Sequence, residues 1–267
     1  MDIVGLGLLI ILITICLSYV IIRFSHSKKL PYYFIDKERN TVLTIGVIGD
    51  SWVTKRKLDK ILHEDLLRKG YENKILSSGQ SGAKSKSIYY NLFKNNIELH
   101  SSKFVIESNP DFCIVIAGVN DAVGQMGSQY YSHHLTGIIK TLLNYDIKPV
   151  ILTLPNVGVK ETLSKMNFFK KYRNILSAFV NNNGIVNNIE SYRRRLYQKL
   201  KLENLIDQIR LIDFDQACEK YSEGSGFYYN PLHLTPKGNE KLAHYIADEL
   251  IKELNKMNKV SSDKSFN

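Results

Sequence analysis

The segment TVLTIGVIGDS, residues 41–51, points to the fold class of this chain. Its apolar, β-branched run stops abruptly at Gly-Asp-Ser, which is typical of a buried β-strand followed by a tight turn. The segment FCIVIAGVND, residues 112–121, has the same form, an apolar run that leads into a polar loop. Both runs are continuously apolar and do not alternate with polar residues. We therefore expect each strand to be covered on both faces of its sheet.

Predicted strands and helices alternate along the rest of the chain. The pattern predicts strands over residues 42–48, 74–77, 112–117, 149–154 and 210–214. Helical spacing of apolar residues predicts helices over 55–69, 84–97, 130–144, 165–182 and 189–203, and a last helix with Thr235 as N-cap and Pro236 at its first position. Alternation of this kind indicates parallel βα units. The predicted fold class is α/β, with three α/β/α layers around a mostly parallel five-stranded sheet.

Composition excludes several classes of protein. The 267 residues carry 36 Lys and Arg against 26 Asp and Glu, a net charge of +10, and 44% of them are hydrophobic. These values exclude a disordered chain, a collagen-like chain and a protein with many membrane spans. Three cysteines are too few for a disulfide framework. The basic residues are spread along the chain without a binding motif, so we expect no nucleic-acid partner.

An uncharged, apolar run extends from Ile3 to Ile22. About 20 such residues, at ~1.5 Å rise each, span a ~30 Å hydrocarbon core. We interpret residues 1–22 as an uncleaved transmembrane anchor. The alternative, a cleaved signal peptide, requires a basic region before the apolar core, where this chain has only Met1 and Asp2. We expect residues 23–40 to be a basic tether, 41–255 a folded domain and 256–267 a disordered tail.

The side of the membrane on which the domain lies is left open by the sequence. Five basic residues follow the apolar run: Arg23, Lys28, Lys29, Lys37 and Arg39. The positive-inside rule favours a cytoplasmic domain, whereas the same residues could bind lipid head groups from either face. Localisation is therefore predicted as single-pass membrane, with the cytoplasmic side favoured. Membrane lipids are the expected partners of residues 3–22 and of the tether.

Polar clusters follow three of the predicted strands, at Asp50-Ser51, Gly79–Gly82 and Gly118–Asp121. The carboxyl ends of parallel strands meet at one edge of a sheet, where sites form. Ser51 lies between a strand and a helix, so its oxygen would be exposed at this edge and near the positive end of a helix dipole. Taken singly, Ser51 reads as a helix cap, Asn120 as a turn residue and His233 as a surface residue. The order of the clusters is more informative than any one of them.

That order resembles the SGNH (GDSL) hydrolase family. Four blocks carry the resemblance: Gly-Asp-Ser-Trp at 49–52, Gly-Gln-Ser-Gly at 79–82, Gly-Val-Asn-Asp at 118–121 and Asn-Pro-Leu-His at 230–233. The resemblance covers roughly Thr41 to Leu254 and implies a flavodoxin-like α/β/α fold. It also implies acyl transfer at a serine, with no metal or organic cofactor.

The resemblance assigns roles position by position. Ser51 would be the nucleophile, and His233 would take its proton and later return it to the leaving group. The oxyanion would be held by the backbone N–H groups of Ser51 and Gly82 and by the side-chain amide of Asn120. Supporting positions in the same blocks are Asp50, Gly118 and Asp121.

The departure from the family is Asn230, which stands where the family has Asp. An amide oxygen can accept from His233 but brings no charge, and an amide presented the wrong way round would select the wrong tautomer. Three outcomes are open. Asn230 orients His233, or another carboxylate such as Asp213 or Asp215 assists, or the site is weak or inactive.

The predicted function is that of a serine-dependent esterase or deacetylase, or an O-acyltransferase, acting on an O-acylated cell-surface or lipid-linked glycan. One alternative is an SGNH-fold glycan-binding or assembly protein that is catalytically weak or inactive. The other is a membrane lipase or thioesterase. Other conspicuous residues have structural interpretations: His133 and His134 on a surface helix face, Cys113 in the core and Trp52 in packing.

Overall fold

The computed structural model describes residue 7 and residues 10–17, 42–54, 57–186, 189–217, 221 and 224–264, with side chains to residue 257 in the last range. The chain forms two compact units, Met1–Tyr33 and Phe34–Asn267. In the first unit, residues 10–17 form helix α1, where the Thr14 hydroxyl donates to the Ile10 carbonyl at 2.8 Å. No helix within the described ranges is both long and apolar enough to cross a membrane. Most of the predicted anchor, and the whole tether at 23–40, lie outside those ranges.

A five-stranded parallel sheet forms the centre of the second unit, in the order β2-β1-β3-β4-β5. The strands are β1 (Leu43–Gly49), β2 (Asn73–Gly79), β3 (Phe112–Ile116), β4 (Lys148–Leu152) and β5 (Arg210–Ile212). Gly49 of β1 is level with Gly79 of β2 and with Ile116 of β3. The three polar clusters therefore follow strands that end at the same height. The predicted fold class is confirmed.

Helices cover the sheet on both faces. They are α2 (Ser51–Thr54), α3 (Leu58–Arg68), α4 (Ser85–Asn91), α5 (Lys103–Glu107), α6 (Val119–Val123), α7 (Ser128–Asn144), α8 (Val159–Ser164), α9 (Phe168–Asn182), α10 (Ile189–Leu202), α11 (Phe214–Ala217) and α12 (Pro236–Lys264), with a 3-10 helix at Ile206–Gln208. Helix α3 packs against α12, and α7 packs against α4 and α10. The residues of β3 are all buried, as its continuous apolar run predicts.

Several boundaries differ from the prediction for local reasons. Helix α4 ends at Asn91, well before residue 97, where the N–H groups of Leu92 and Phe93 donate three residues back, to the carbonyls of Tyr89 and Tyr90. The helix predicted over 165–182 is α9, which begins at Phe168, and the separate short helix α8 before it was not predicted. Helix α12 continues to Lys264, past Lys256, where we expected a tail without regular structure. Polar composition argues against packing on the core, but it does not prevent a helical backbone.

A two-stranded antiparallel ribbon was not predicted. It joins β6 (Tyr228–Asn230) to β7 (His233–Leu234) directly before α12. Strands this short carry no readable periodicity, since the alternation of a strand needs several residues to show. The ribbon matters because it carries Asn230 and His233.

Candidate active site

Ser51 lies at the carboxyl end of β1, as the first residue of α2. Its side chain is largely buried, and its Oγ is 3.1 Å from Nε2 of His233. The two residues are 182 positions apart in the sequence. The fold therefore brings together the two ends of the domain to form the pair that nucleophilic catalysis needs.

Asn230 fixes the orientation of His233. Its Oδ1 accepts hydrogen bonds from the backbone N–H groups of Leu232 and His233, both at 2.9 Å, and lies 3.2 Å from His233 Nδ1. Two N–H donors require an oxygen, so the amide cannot be turned the other way. Nδ1 then carries the ring proton, and Nε2 is the acceptor that faces Ser51. This is the tautomer that a general base requires.

Two aromatic residues position the ribbon beside Ser51. The indole N–H of Trp52 donates to the Leu232 carbonyl at 3.0 Å, and the Trp52 ring meets Phe214 edge to face at 5.3 Å. Trp52 is buried, which confirms its predicted packing role. Tyr229 stacks on His233 with ring centroids 5.8 Å apart and is 54% exposed. Tyr229 was not predicted as a site residue, because no spacing pattern in the sequence indicates that it stacks on His233.

Two backbone N–H groups are available to an oxyanion. Within the described part of the chain, neither the Ser51 nor the Gly82 N–H donates to another protein group. Gly82 has a φ of +75°, which glycine adopts at little cost, and no atom lies within 4 Å of where a Cβ would be. Both features suit donors that must approach a substrate closely.

Asn120 is held differently from the role that the resemblance implies. Its Nδ2 donates to Asp50 Oδ2 and to the Ala83 carbonyl, each at 3.0 Å. Both amide hydrogens therefore have acceptors in this structure. An oxyanion would have to share one of these hydrogens, so the contribution of Asn120 stays a prediction.

Asp50 and Asp121 are fully buried beneath the site. Asp50 Oδ1 accepts from the Trp52 N–H at 3.0 Å, and burial raises the pKa of Asp50 to about 7. Asp121 accepts from the Ser85 hydroxyl at 2.6 Å and from the Ser85 N–H at 2.8 Å, and burial raises its pKa to about 6. Asp50 therefore links the turn after β1 to the start of α2, and Asp121 links α6 to the start of α4.

Gly118 is required by the tight connection from β3 to α6. Its φ is +120°, and an added Cβ would lie 2.6 Å from Tyr131 Cε2 and 2.9 Å from Leu154 Cδ1. A side chain would therefore both strain the backbone and clash with the core. The turn that follows places Asn120 at the carboxyl edge of the sheet.

Asp213 and Asp215, the carboxylates considered as alternatives to Asn230, make hydrogen bonds or ion pairs with other groups. Asp215 Oδ2 pairs with Arg193 at 2.6 Å, and its Oδ1 accepts from the Asn156 N–H at 3.1 Å. Asp213 accepts from the Asp215 N–H at 3.0 Å and lines a cavity of about 180 Å³ beside Arg193. Since Asn230 faces Nδ1 of His233, the geometry favours Asn230 over these carboxylates as the group that orients the ring.

The remaining predictions on single residues have mixed outcomes. Cys113 is buried in the core as predicted, and burial raises the pKa of its thiol. The surface position predicted for His134 is wrong, because its ring is buried against Tyr130 with Nδ1 2.8 Å from the Tyr130 carbonyl. Among the described residues, no group of three or more His, Cys, Asp or Glu could hold a metal ion.

Comparisons with known proteins agree with this architecture. No family model matches the sequence, and no curated protein matches it. The lipase/acylhydrolase from Enterococcus faecalis superposes with a TM-score of 0.56 at 17% identity, covering 78% of this chain and 95% of that one. The esterase EstA from Pseudoalteromonas sp. gives 0.54 at 15% identity, covering 79% and 98%. A GDSL-like lipase from Bacteroides thetaiotaomicron gives 0.53 at 13% identity, covering 79% and 88%.

These similarities identify the fold. The chain has the fold of the SGNH (GDSL) hydrolases, and the resemblance drawn from the four sequence blocks is confirmed at that level. The amide at position 230 is a feature of this chain's own sequence and site.

Proposed function

We propose that this protein is a serine-dependent ester hydrolase that acts through an acyl-Ser51 intermediate. The observation that carries the proposal is the line of contacts from Ser51 Oγ to His233 Nε2 at 3.1 Å and from His233 Nδ1 to Asn230 Oδ1 at 3.2 Å. Structural neighbours described as a lipase/acylhydrolase and an esterase support it.

The geometry supports a two-step reaction. His233 Nε2 takes the proton of Ser51 as Oγ attacks the ester carbonyl carbon, and the N–H groups of Ser51 and Gly82 stabilise the oxyanion that forms. The intermediate collapses, the C–O bond to the alcohol breaks, and His233 returns the proton to that alcohol. Water, activated by His233, then releases the acid and restores Ser51. A sugar hydroxyl in place of water would make the same site an O-acyltransferase.

The neutral Asn230 is compatible with turnover. In a serine protease, replacing the triad Asp by Asn lowers turnover about 10⁴-fold, because the wrong tautomer is presented to the serine. Here the two backbone N–H groups hold the amide oxygen toward the ring, so the productive tautomer is kept. What is lost is the charge that stabilises the imidazolium. This favours an enzyme over an inactive binding protein.

For the substrate we propose an O-acylated glycan of the cell surface or on a lipid carrier, reached from a single-pass membrane attachment. The uncharged run over residues 3–22 and the net charge of +10 support this choice, since both favour residence at an anionic membrane. A membrane lipase or thioesterase would share the attachment but would prefer long acyl chains.

The test compares substrates on the purified chain. We expect hydrolysis of acetyl esters and of O-acetylated oligosaccharides, with rates that fall as the acyl chain lengthens from two to twelve carbons. Ser51→Ala is the control and should abolish turnover of every substrate. A preference for long chains would replace the glycan proposal with the lipase reading, and activity that survives Ser51→Ala would refute the proposed mechanism.

A further inference from the structure

Helix α9, Phe168–Asn182, exposes its apolar face and buries its polar face. Its outward stripe is apolar and strongly exposed: Phe168 at 70%, Phe169 at 83%, Tyr172 at 65%, Leu176 at 52% and Phe179 at 67%. At ~100° per residue these five positions fall within a stripe about 100° wide, the width normally turned toward a protein core. The rings of Phe168 and Tyr172 lie 5.5 Å apart on the surface. The patch is therefore contiguous.

The inward side of α9 is polar. Asn174 is buried and donates to the Val123 carbonyl at 3.1 Å, and the Ser177 hydroxyl donates to the Gln125 carbonyl at 2.8 Å. The buried Asn182 also contacts Gln125. A helix that faces water has the opposite arrangement, so this one is built for an apolar environment on its outer side.

The charge around the stripe indicates what that environment is. Lys171 and Arg173, both exposed, flank the stripe on its two sides, and the sequence of α9, FFKKYRNILSAFVNN, contains no carboxylate. Aromatic and aliphatic residues beside cations are the pattern of a helix that lies in the head-group region of an anionic bilayer. A protein partner with an apolar surface would not require the one-sided charge.

We propose that α9 docks the domain onto an anionic lipid bilayer, lying in the plane of the interface. The contact differs from the predicted anchor at residues 3–22, but it would act together with it. A chain already tethered beside a membrane meets that surface at a high effective concentration, so a modest docking affinity is enough.

The proposal has a consequence for the site that rests on the proposed function. The polar side of α9 contacts Val123 and Gln125, which lie three and five residues after Asn120 in the chain. Docking through α9 therefore keeps the catalytic edge of the sheet close to the bilayer. Such an arrangement suits an acyl ester held on a lipid carrier.

Tryptophan fluorescence offers a direct test, because Trp52 is the only tryptophan and is buried. The full-length Phe169→Trp variant is reconstituted in vesicles of phosphatidylglycerol and phosphatidylcholine whose acyl chains are brominated. We expect emission from position 169 to shift to shorter wavelength and to be quenched at least threefold. The matched control is Leu67→Trp on α3, where the native side chain is 46% exposed. Emission from position 67 should stay long-wavelength and unquenched.

Two results would overturn the proposal. Equal quenching at positions 67 and 169 would show no docking through α9, and a short-wavelength but unquenched signal at 169 would show that protein covers the stripe, from a second copy or from this chain. Tyr172→Trp provides a second reporter should Phe169→Trp not fold. The readout does not use catalysis and can be repeated in a Ser51→Ala background, so its failure and the failure of the hydrolase proposal are distinguishable.

Discussion

Position 230 carries an amide whose oxygen faces Nδ1 of His233 at 3.2 Å. The uncharged amide orients His233 as a triad carboxylate would. Its oxygen is held toward the ring because it accepts hydrogen bonds from the backbone N–H groups of Leu232 and His233. The amide and the carboxylate have the same shape, so replacing one with the other isolates the contribution of charge.

Asn230→Asp should raise kcat/KM about tenfold or more, since a carboxylate stabilises the imidazolium that forms as Ser51 attacks. The same charge favours protonated His233 and raises its pKa, so the acidic limb of the kcat/KM profile should move to higher pH. Steady-state kinetics from pH 5 to 9 measure both effects. As a control, Asn230→Ala removes the acceptor of three N–H groups and should lower kcat. A folded Asn230→Asp enzyme with unchanged rate and profile would show that the ring is not oriented through residue 230.

The buried pair Asp50 and Asp121 predicts an unusual dependence of stability on pH. Burial raises the pKa of Asp50 from 3.8 to about 7 and that of Asp121 from 3.8 to about 6. The folded state then binds more protons than the unfolded state between these values, so the free energy of unfolding falls as pH rises through this window. For Asp121 the shift corresponds to about 3 kcal/mol at pH 8.

Asp121→Asn should make this fall shallower, because it removes one titration and one negative charge beside Asp50. The amide can still accept from the Ser85 N–H. Denaturant unfolding at pH 5, 6.5 and 8 measures the slopes, with Asp248→Asn, a change at an exposed carboxylate, as the matched control. Wild-type stability that increases from pH 5 to pH 8 would contradict this reading of the pair.

At the scale of elements, the site depends on how α2 is joined to the β6–β7 ribbon. The Trp52 indole donates to the Leu232 carbonyl, one residue before His233, and its ring packs on Phe214. This contact links the element that carries the nucleophile to the element that carries the base. A small loosening of the ribbon would lengthen the 3.1 Å contact between Ser51 and His233.

Trp52→Phe keeps most of the ring packing but removes the indole N–H. We expect kcat to fall about tenfold while the free energy of unfolding drops by only about 1 kcal/mol, the typical worth of one hydrogen bond. Turnover of a soluble ester and thermal unfolding followed by circular dichroism measure the two quantities. Phe214→Leu, which changes the packing but leaves the hydrogen bond, is the comparison. A loss of stability without a loss of kcat would assign Trp52 to the core alone.

The sequence predicts best the elements that have a clear local pattern of apolar residues. Strands β1 and β3 are continuous apolar runs bounded by glycine, and both were predicted within a residue or two. The ribbon was missed because its strands are too short for a pattern. The orientation of the Asn230 amide could not be predicted either. It depends on the backbone N–H groups of Leu232 and His233, which the ribbon places around the amide oxygen.

The buried face of helix α9 could not be predicted from the sequence, for a different reason. Its periodicity predicts a helix, but periodicity alone cannot say which face is buried, and the usual assumption that the apolar face turns inward is wrong here. In the structure, Asn174 and Ser177 donate hydrogen bonds to the segment after Asn120, so the polar face of α9 is the buried one.

At the scale of the whole molecule, the hydrophobic core lies in the compact unit Phe34–Asn267. That unit also contains Ser51, His233 and the groups that support them. The proposed membrane attachment of this chain rests on three features: the net charge of +10, the apolar run at residues 3–22 and the exposed stripe of α9. The chemistry itself needs only the unit, because every residue of the proposed reaction lies within it.

The most direct test is therefore labelling of Phe34–Asn267 with a fluorophosphonate probe, which forms a phosphorus–oxygen bond to an activated serine and releases fluoride. We predict stoichiometric labelling of the wild-type unit, none in Ser51→Ala, and at least a hundredfold slower labelling in His233→Ala. Circular dichroism confirms that each protein is folded. A folded wild-type unit that resists the probe, or a His233→Ala variant that reacts as fast as the wild type, would contradict the account.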